Sequence, residues 1–142
     1  MNALNTALQQ TQTPAKETIL SLPHQLKAQL PLSGKLAHQI AEQRQTIQNI
    51  LDGKDHRLMV VTGPCSIHDP ISALEYAEKL QQLQSQIADQ IFLVMRAYIE
   101  KPRTTIGWKG FLYDPNLDGS SNMQLGLEKS RELYLKIIEM GL

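Results

Sequence analysis

Two short runs without a polar residue, Leu58-Met59-Val60-Val61 and Ile91-Phe92-Leu93-Val94-Met95, most constrain what this chain can fold into. A strand with one wet face alternates apolar and polar residues. A strand apolar on both faces needs cover on both sides, as in a parallel sheet. Between the runs, Ile71, Leu74, Ala77, Leu80, Leu83 and Ile87 recur every three or four residues, the spacing of one helical face. Asp69-Pro70 supplies an N-cap and a proline for the first helical position, which predicts a helix over 70–88. The strands are predicted within 57–63 and over 91–97. A strand, a helix and a second strand in this order imply parallel pairing through a right-handed crossover.

The flanking sequence extends the alternation. Leu36, Ile40, Ile47, Ile50 and Leu51 share a helical face, and Asp52-Gly53 is a plausible stop, so a helix is predicted over 34–52. Leu127, Tyr134, Ile137 and Ile138 mark a last helix ending near Gly141, after a loop over 98–122. Tyr76 and Tyr134 sit at helical spacing among apolar residues and are expected in the core. Residues 1–33, rich in Gln, Thr, Ser and Pro, show no sustained period and read as an arm outside the core. The expected division is therefore an arm over 1–33 and an α/β unit over 34–142. Two doubly apolar strands do not finish a sheet, so their neighbours come from partner chains or from a longer polypeptide.

Fourteen basic and fourteen acidic residues among 142 argue against a general nucleic-acid or membrane-surface role. No apolar stretch reaches the roughly 18 residues of a membrane span, and the first residues lack a charged segment followed by an apolar one. A cytoplasmic protein is expected. A single cysteine, Cys65, cannot form an internal disulfide, which fits a reducing compartment.

Against this neutral background, charge is concentrated where the second strand ends. Arg96, Lys101, Arg103 and Lys109 lie in one short stretch, with Thr104 and Thr105 adding hydroxyl donors. Arginine presents a planar fork to two anion oxygens and lysine a mobile point charge, so the mixture suits a ligand carrying phosphate and carboxylate. Ligands of parallel α/β folds gather at the carboxyl ends of strands, where these cations stand. The alternative is a solvated turn, since Lys-Pro-Arg is an ordinary loop composition.

The first strand ends at Gly63-Pro64-Cys65, which brings the thiol to the same end of the sheet. It could ligate a divalent metal, or it could be a small buried apolar residue. His68 could be a ligand or proton donor, or it could pack beside Asp69 acting as the helix cap. Trp108 could stack on a ligand or pack locally. No nucleotide-binding loop of the G-x-x-x-x-G-K-[ST] type is present.

Taken together, Gly63-Pro64-Cys65-Ser66-Ile67-His68-Asp69-Pro70 and Glu100-Lys101-Pro102-Arg103-Thr104-Thr105-Ile106-Gly107-Trp108-Lys109-Gly110 closely resemble the class I 3-deoxy-D-arabino-heptulosonate 7-phosphate (DAHP) synthases. The likeness continues through Asp114-Pro115 and Asp118-Gly119-Ser120 and covers about 34–142; the arm around Pro31-Leu32-Ser33 looks most like tyrosine-sensitive members. The resemblance implies the N-terminal part of a (β/α)₈ barrel behind a helical extension, with two of eight strands present. It implies condensation of phosphoenolpyruvate with erythrose 4-phosphate, the first step of aromatic amino-acid biosynthesis. By the same resemblance, Cys65 is a ligand of a divalent metal (Mn, Fe, Zn or Co), and Arg96 and Lys101 hold phosphoenolpyruvate, Lys101 close to the reacting atoms. Pro102, Arg103 and Thr104 fall in the segment that binds erythrose 4-phosphate. A dimer or tetramer is implied for the full-length protein.

Ala97, Ile99, Tyr113 and Asn116 depart from the usual family choices, but none removes a charge. Length is the larger departure, because a barrel takes about 250 residues. The family's other metal ligands, a histidine, a glutamate and an aspartate, belong to later segments. The isolated chain is therefore expected to be inactive, a piece that at most binds phosphates or associates with full-length subunits. A related synthase acting on arabinose 5-phosphate shares the barrel, and Lys101-Pro102-Arg103-Thr104 argues against it.

Overall fold

The computed structural model describes residues 19–102 and 106–142. Six elements follow in order: α1 (Pro23–Gln29), α2 (Gly34–Leu51), β1 (Leu58–Thr62), α3 (Pro70–Ile87), β2 (Ile91–Met95) and α4 (Met123–Glu139). β1 and β2 are parallel neighbours, in register from Leu58 opposite Ile91 to Thr62 opposite Met95. The strands and helices predicted from periodicity are all present. β2 is two residues shorter than expected. Arg96 still donates its amide to the Thr62 carbonyl at 2.8 Å, after which the chain leaves the sheet.

Helix starts follow from local chemistry. The Ser33 side chain accepts from the Leu36 amide at α2, and Asn122 accepts from Leu125 at α4. Asp69 accepts from the amides of Ile71 and Ser72, while Pro70 fills a position needing no donor. α1 is a difference from the sequence reading, since residues 1–33 show no helical period. Pro23 opens it and the Gln25 side chain accepts from the Leu22 amide, so local hydrogen bonding starts it without a hydrophobic stripe. It contains no buried residue, which explains the missing period.

One face of the sheet is filled by α3 and α4. Ala73, Ala77 and Leu80 of α3 meet Leu93 and Met95 of β2 and Leu133 and Ile137 of α4, with Ile67 closing the cluster from the loop after β1. Each fully buried leucine or isoleucine contributes about 1.5–3 kcal/mol, against about 1 kcal/mol for a typical cap, so packing rather than capping holds the helices. Tyr76 and Tyr134 lie at the margin of this core rather than inside it: both are half-buried. Their hydroxyls are bonded, Tyr76 with Thr62 Oγ1 at 3.0 Å and Tyr134 donating to the Ala97 carbonyl at 3.2 Å.

The strands are less covered elsewhere. Leu58 is 64% exposed and Val61 58%, so apolar strand positions stand in solvent, as expected for two strands lacking neighbours. An apolar groove of about 360 Å³ runs along β2, lined by Ile40 and Ile47 of α2, Phe92 and Val94 of β2, and Tyr134 and Ile138 of α4. No helix among the described residues is long and apolar enough to cross a membrane.

Candidate active site at the carboxyl ends of the strands

The loop after β1 and the loop after β2 leave the sheet side by side and are tied together. Ile67 donates its amide to the Tyr98 carbonyl at 2.7 Å. Gly63 is required by proximity: a Cβ there would lie 2.2 Å from the Arg96 carbonyl oxygen. The parallel register therefore carries past the strand ends and brings residues 63–67 against 96–98.

That juxtaposition sets the polar groups. The Lys101 ammonium donates to Cys65 Sγ at 3.6 Å, joining thirty-six positions of sequence separation. Cys65 is exposed. Among the described residues the thiol is therefore not a small buried core residue but lies beside a cation. Arg96 is also exposed, its guanidinium carbon 5.2 Å from the centre of the Tyr98 ring, a cation–π contact that leaves the N–H fork available. Neither Arg96 nor Lys101 forms an ion pair among the described residues. Two cations without an acidic partner among the described residues, one of them beside a thiol, favour an anionic ligand.

The Tyr134 hydroxyl, held on the Ala97 carbonyl, has its pKa raised by burial and secondly by the negative charge of Glu100. It therefore remains a neutral donor and pins α4 to the segment next to Arg96. His68 is exposed, while Asp69 is occupied with capping, its carboxyl pKa lowered first by the Ser72 hydroxyl and then by the Ser72 and Ile71 amides. The cap reading holds at Asp69.

The loop after β2 is braced where sequence reasoning saw only length. Lys101 donates its amide to the Lys109 carbonyl at 2.9 Å, and Leu112 donates to the Ile99 carbonyl at 3.1 Å. Gly110 lies between these pairs with φ at +116°, and a Cβ would sit 2.5 Å from Glu100 Cα, so only glycine fits. Trp108 donates Nε1–H to the Asp114 carbonyl at 2.9 Å, which agrees with local packing. Asp114 is 8% exposed and its Oδ2 accepts from the Gly119 amide at 3.0 Å. Phe111, 1% exposed, anchors the loop. The signal for this brace was Gly107-Trp108-Lys109-Gly110, two glycines flanking a large ring, but spacing alone does not say what it braces.

The structure thus brings Lys101 to Cys65 and places Arg96 at the end of the adjacent strand, its guanidinium stacked on Tyr98. Pro102 is exposed beside Lys101. Arg103, Thr104 and Thr105 lie outside the described residues. None of Cys65, Arg96 or Lys101 lines the apolar groove beside β2, so the polar site and the groove are separate features. A thiolate suits a divalent metal of borderline softness, but no group of three or more His, Cys, Asp or Glu side chains converges among the described residues. Cys65 fits as one ligand of such an ion; the described residues do not hold one by themselves.

Comparison with known proteins gives one consistent result. The family model described as the DAHP synthetase I family matches residues 32–138. The Tyr-sensitive phospho-2-dehydro-3-deoxyheptonate aldolase of Escherichia coli is 52% identical over 126 residues, 89% of this chain and 35% of that protein. The phenylalanine-inhibited enzyme of the same name from Saccharomyces cerevisiae is 42% identical over 120 residues, 84% of this chain and 32% of that protein. The structure of phospho-2-dehydro-3-deoxyheptonate aldolase from Francisella tularensis superposes with a TM-score of 0.85 at 45% identity, over 90% of this chain and 38% of that one. The chain spans about a third of the length of these relatives. With its matched segment running through both strands and the site between them, the chain belongs to the DAHP synthetase I family.

Proposed function

We propose that this chain supplies two of the eight strands of a (β/α)₈ barrel, and part of the active site, of a DAHP synthase that condenses phosphoenolpyruvate with erythrose 4-phosphate. The observation that carries the reading is the meeting of Lys101 and Cys65 at 3.6 Å at the carboxyl ends of adjacent parallel strands. In such barrels the catalytic groups come from different strands at this end.

In this reading Arg96 offers its fork to the phosphate or carboxylate of phosphoenolpyruvate, and Lys101 places its ammonium beside the reacting carbons. C3 of phosphoenolpyruvate attacks the aldehyde carbon of erythrose 4-phosphate. Water adds at C2, and phosphate leaves with cleavage of its C–O bond. Fixed cations stabilise the charge that develops and can supply several kcal/mol of the barrier reduction. Pro102, Arg103 and Thr104 serve erythrose 4-phosphate, with Arg103 and Thr104 on its phosphate. Cys65 is one ligand of a divalent metal whose other ligands lie outside this chain. When bound, that ion polarises the aldehyde oxygen. The family resemblance supports a dimer or tetramer for the complete enzyme.

The test is an assay of the native-length polypeptide that carries this segment, with manganese supplied, for phosphate release from phosphoenolpyruvate. Release that requires erythrose 4-phosphate is expected. Release with arabinose 5-phosphate but not erythrose 4-phosphate would assign the related synthase instead, and no release with either would end the enzymatic reading. The 142-residue chain alone is proposed to be inactive, because one candidate ligand does not hold a metal and its strand positions stand open; turnover by it would refute that.

A further inference from the structure

We propose that Trp108 is a positioning residue for Lys101, acting through the backbone brace of the loop after β2. Lys101 has no ion pair among the described residues, and its main chain is held opposite Lys109, the residue after Trp108, by the Lys101 amide on the Lys109 carbonyl at 2.9 Å. The place of Lys109 is in turn set from both sides. On one side the indole N–H of Trp108 is bonded to the Asp114 carbonyl at 2.9 Å. On the other, Gly110 is pressed against Glu100, with no room for a Cβ.

The far end of this arrangement is fixed. The Asp114 amide is bonded to the Gly110 carbonyl at 3.0 Å, its side chain receives the Gly119 amide, and the residue is buried. A backbone carbonyl at such a point is a stationary acceptor. The indole bond therefore transfers a fixed point of the loop to Lys109, and Lys109 transfers it to Lys101. A lysine side chain has four rotatable carbons, so its reach to Cys65 is reproducible only if its Cα is held. Packing of the ring alone would not need a directed N–H bond.

The inference rests on the reading of Lys101 as a cation for phosphoenolpyruvate, so the experiment reads the brace and the catalysis separately. Trp108→Phe, made in the native-length polypeptide, keeps a ring and removes the donor. Hydrogen exchange of the Lys101 amide is expected to rise roughly tenfold, with the amides of Val60 and Leu93 unchanged. The KM for phosphoenolpyruvate is expected to rise about five- to tenfold while kcat stays within about threefold, the pattern of a misplaced binding group. A merely structural role would lower kcat through a smaller active fraction and leave KM unmoved. Unchanged exchange at Lys101 overturns the proposal, and so does faster exchange with an unchanged KM. If the parent polypeptide itself lacks the condensation, the proposed function fails, and the brace is then judged by exchange alone. Should Trp108→Phe not fold, Trp108→Tyr, a larger ring equally unable to reproduce the indole N–H, is measured in the same way.

Discussion

The two loops that leave the sheet solve different problems with different means. Residues 63–69 run a short course from β1 to α3, and their order comes from the helix they enter: Asp69 caps it and Ile67 is buried in the core beneath it. Residues 96–102 and 106–122 have no such helix close at hand, and their order comes from within, through the Lys101–Lys109 and Leu112–Ile99 backbone bonds, Gly110, Trp108 and the buried Asp114. The short loop delivers a thiol and the long one delivers cations. A side chain on a short loop is placed by the strand register, whereas one on a long loop needs its own scaffold.

The sharpest way to break this comparison is to remove one functional group from each loop. Lys101→Met in the native-length polypeptide is expected to lower kcat/KM for the condensation by about 10²–10³-fold, the loss typical of a preorganised charge, and steady-state kinetics would check it. A drop below about threefold would take Lys101 out of the site. Next in size is the anchor of the long loop. Phe111→Ala should cost about 3–5 kcal/mol, measured from urea denaturation, because a wholly buried ring leaves a cavity. Gly110→Ala should cost about 1–3 kcal/mol by forcing Glu100 and Ile99 aside, and its heteronuclear NMR shifts should concentrate at 99–101 rather than in 63–69.

Asp69→Ala tests the short loop, and the comparison predicts a local effect. The first-turn amides of α3, Ile71 and Ser72, should exchange faster while those of Lys101 and Leu112 do not change. The smallest effect belongs to neither loop. Asp55, at the opposite end of the sheet, has its carboxyl pKa lowered from 3.8 to about 2, chiefly by the side-chain bond from Arg57 and then by the Arg57 amide. A depressed carboxyl pKa adds stability above the unfolded value and loses it as pH falls through the folded one. Denaturation midpoints should therefore fall between about pH 4 and pH 2 in the parent. That part of the fall should be absent in Asp55→Asn.

The sheet, its crossover helix and the flanking helices were legible because their signals are periodic. Apolar spacing of two doubly apolar strands and of α3 admits few other arrangements, and Asp69-Pro70 marks the helix entry. α1 was not legible, since a helix that buries nothing leaves no period to read. At the site, the residue types and the strand-end position were readable from Arg96, Lys101 and Cys65. The exposure of Cys65 was not, because a lone cysteine has the same letter in a core and beside a lysine.

What the sequence determined by itself is therefore the kind of element at each position and the stock of cations and thiol at its end, together with the family likeness carried by residues 63–70 and 100–110. What tertiary structure decided is which of these groups meet. Lys101 reaches Cys65 because β1 and β2 pair in parallel register and because the Ile67 amide on the Tyr98 carbonyl ties the two loops together, while Gly110, Trp108 and Asp114 brace the long loop from within. Those contacts join residues far apart along the chain, and periodicity records only neighbours within a few turns; distance between loops is set by packing, where a single Cβ at Gly63 or Gly110 would move it.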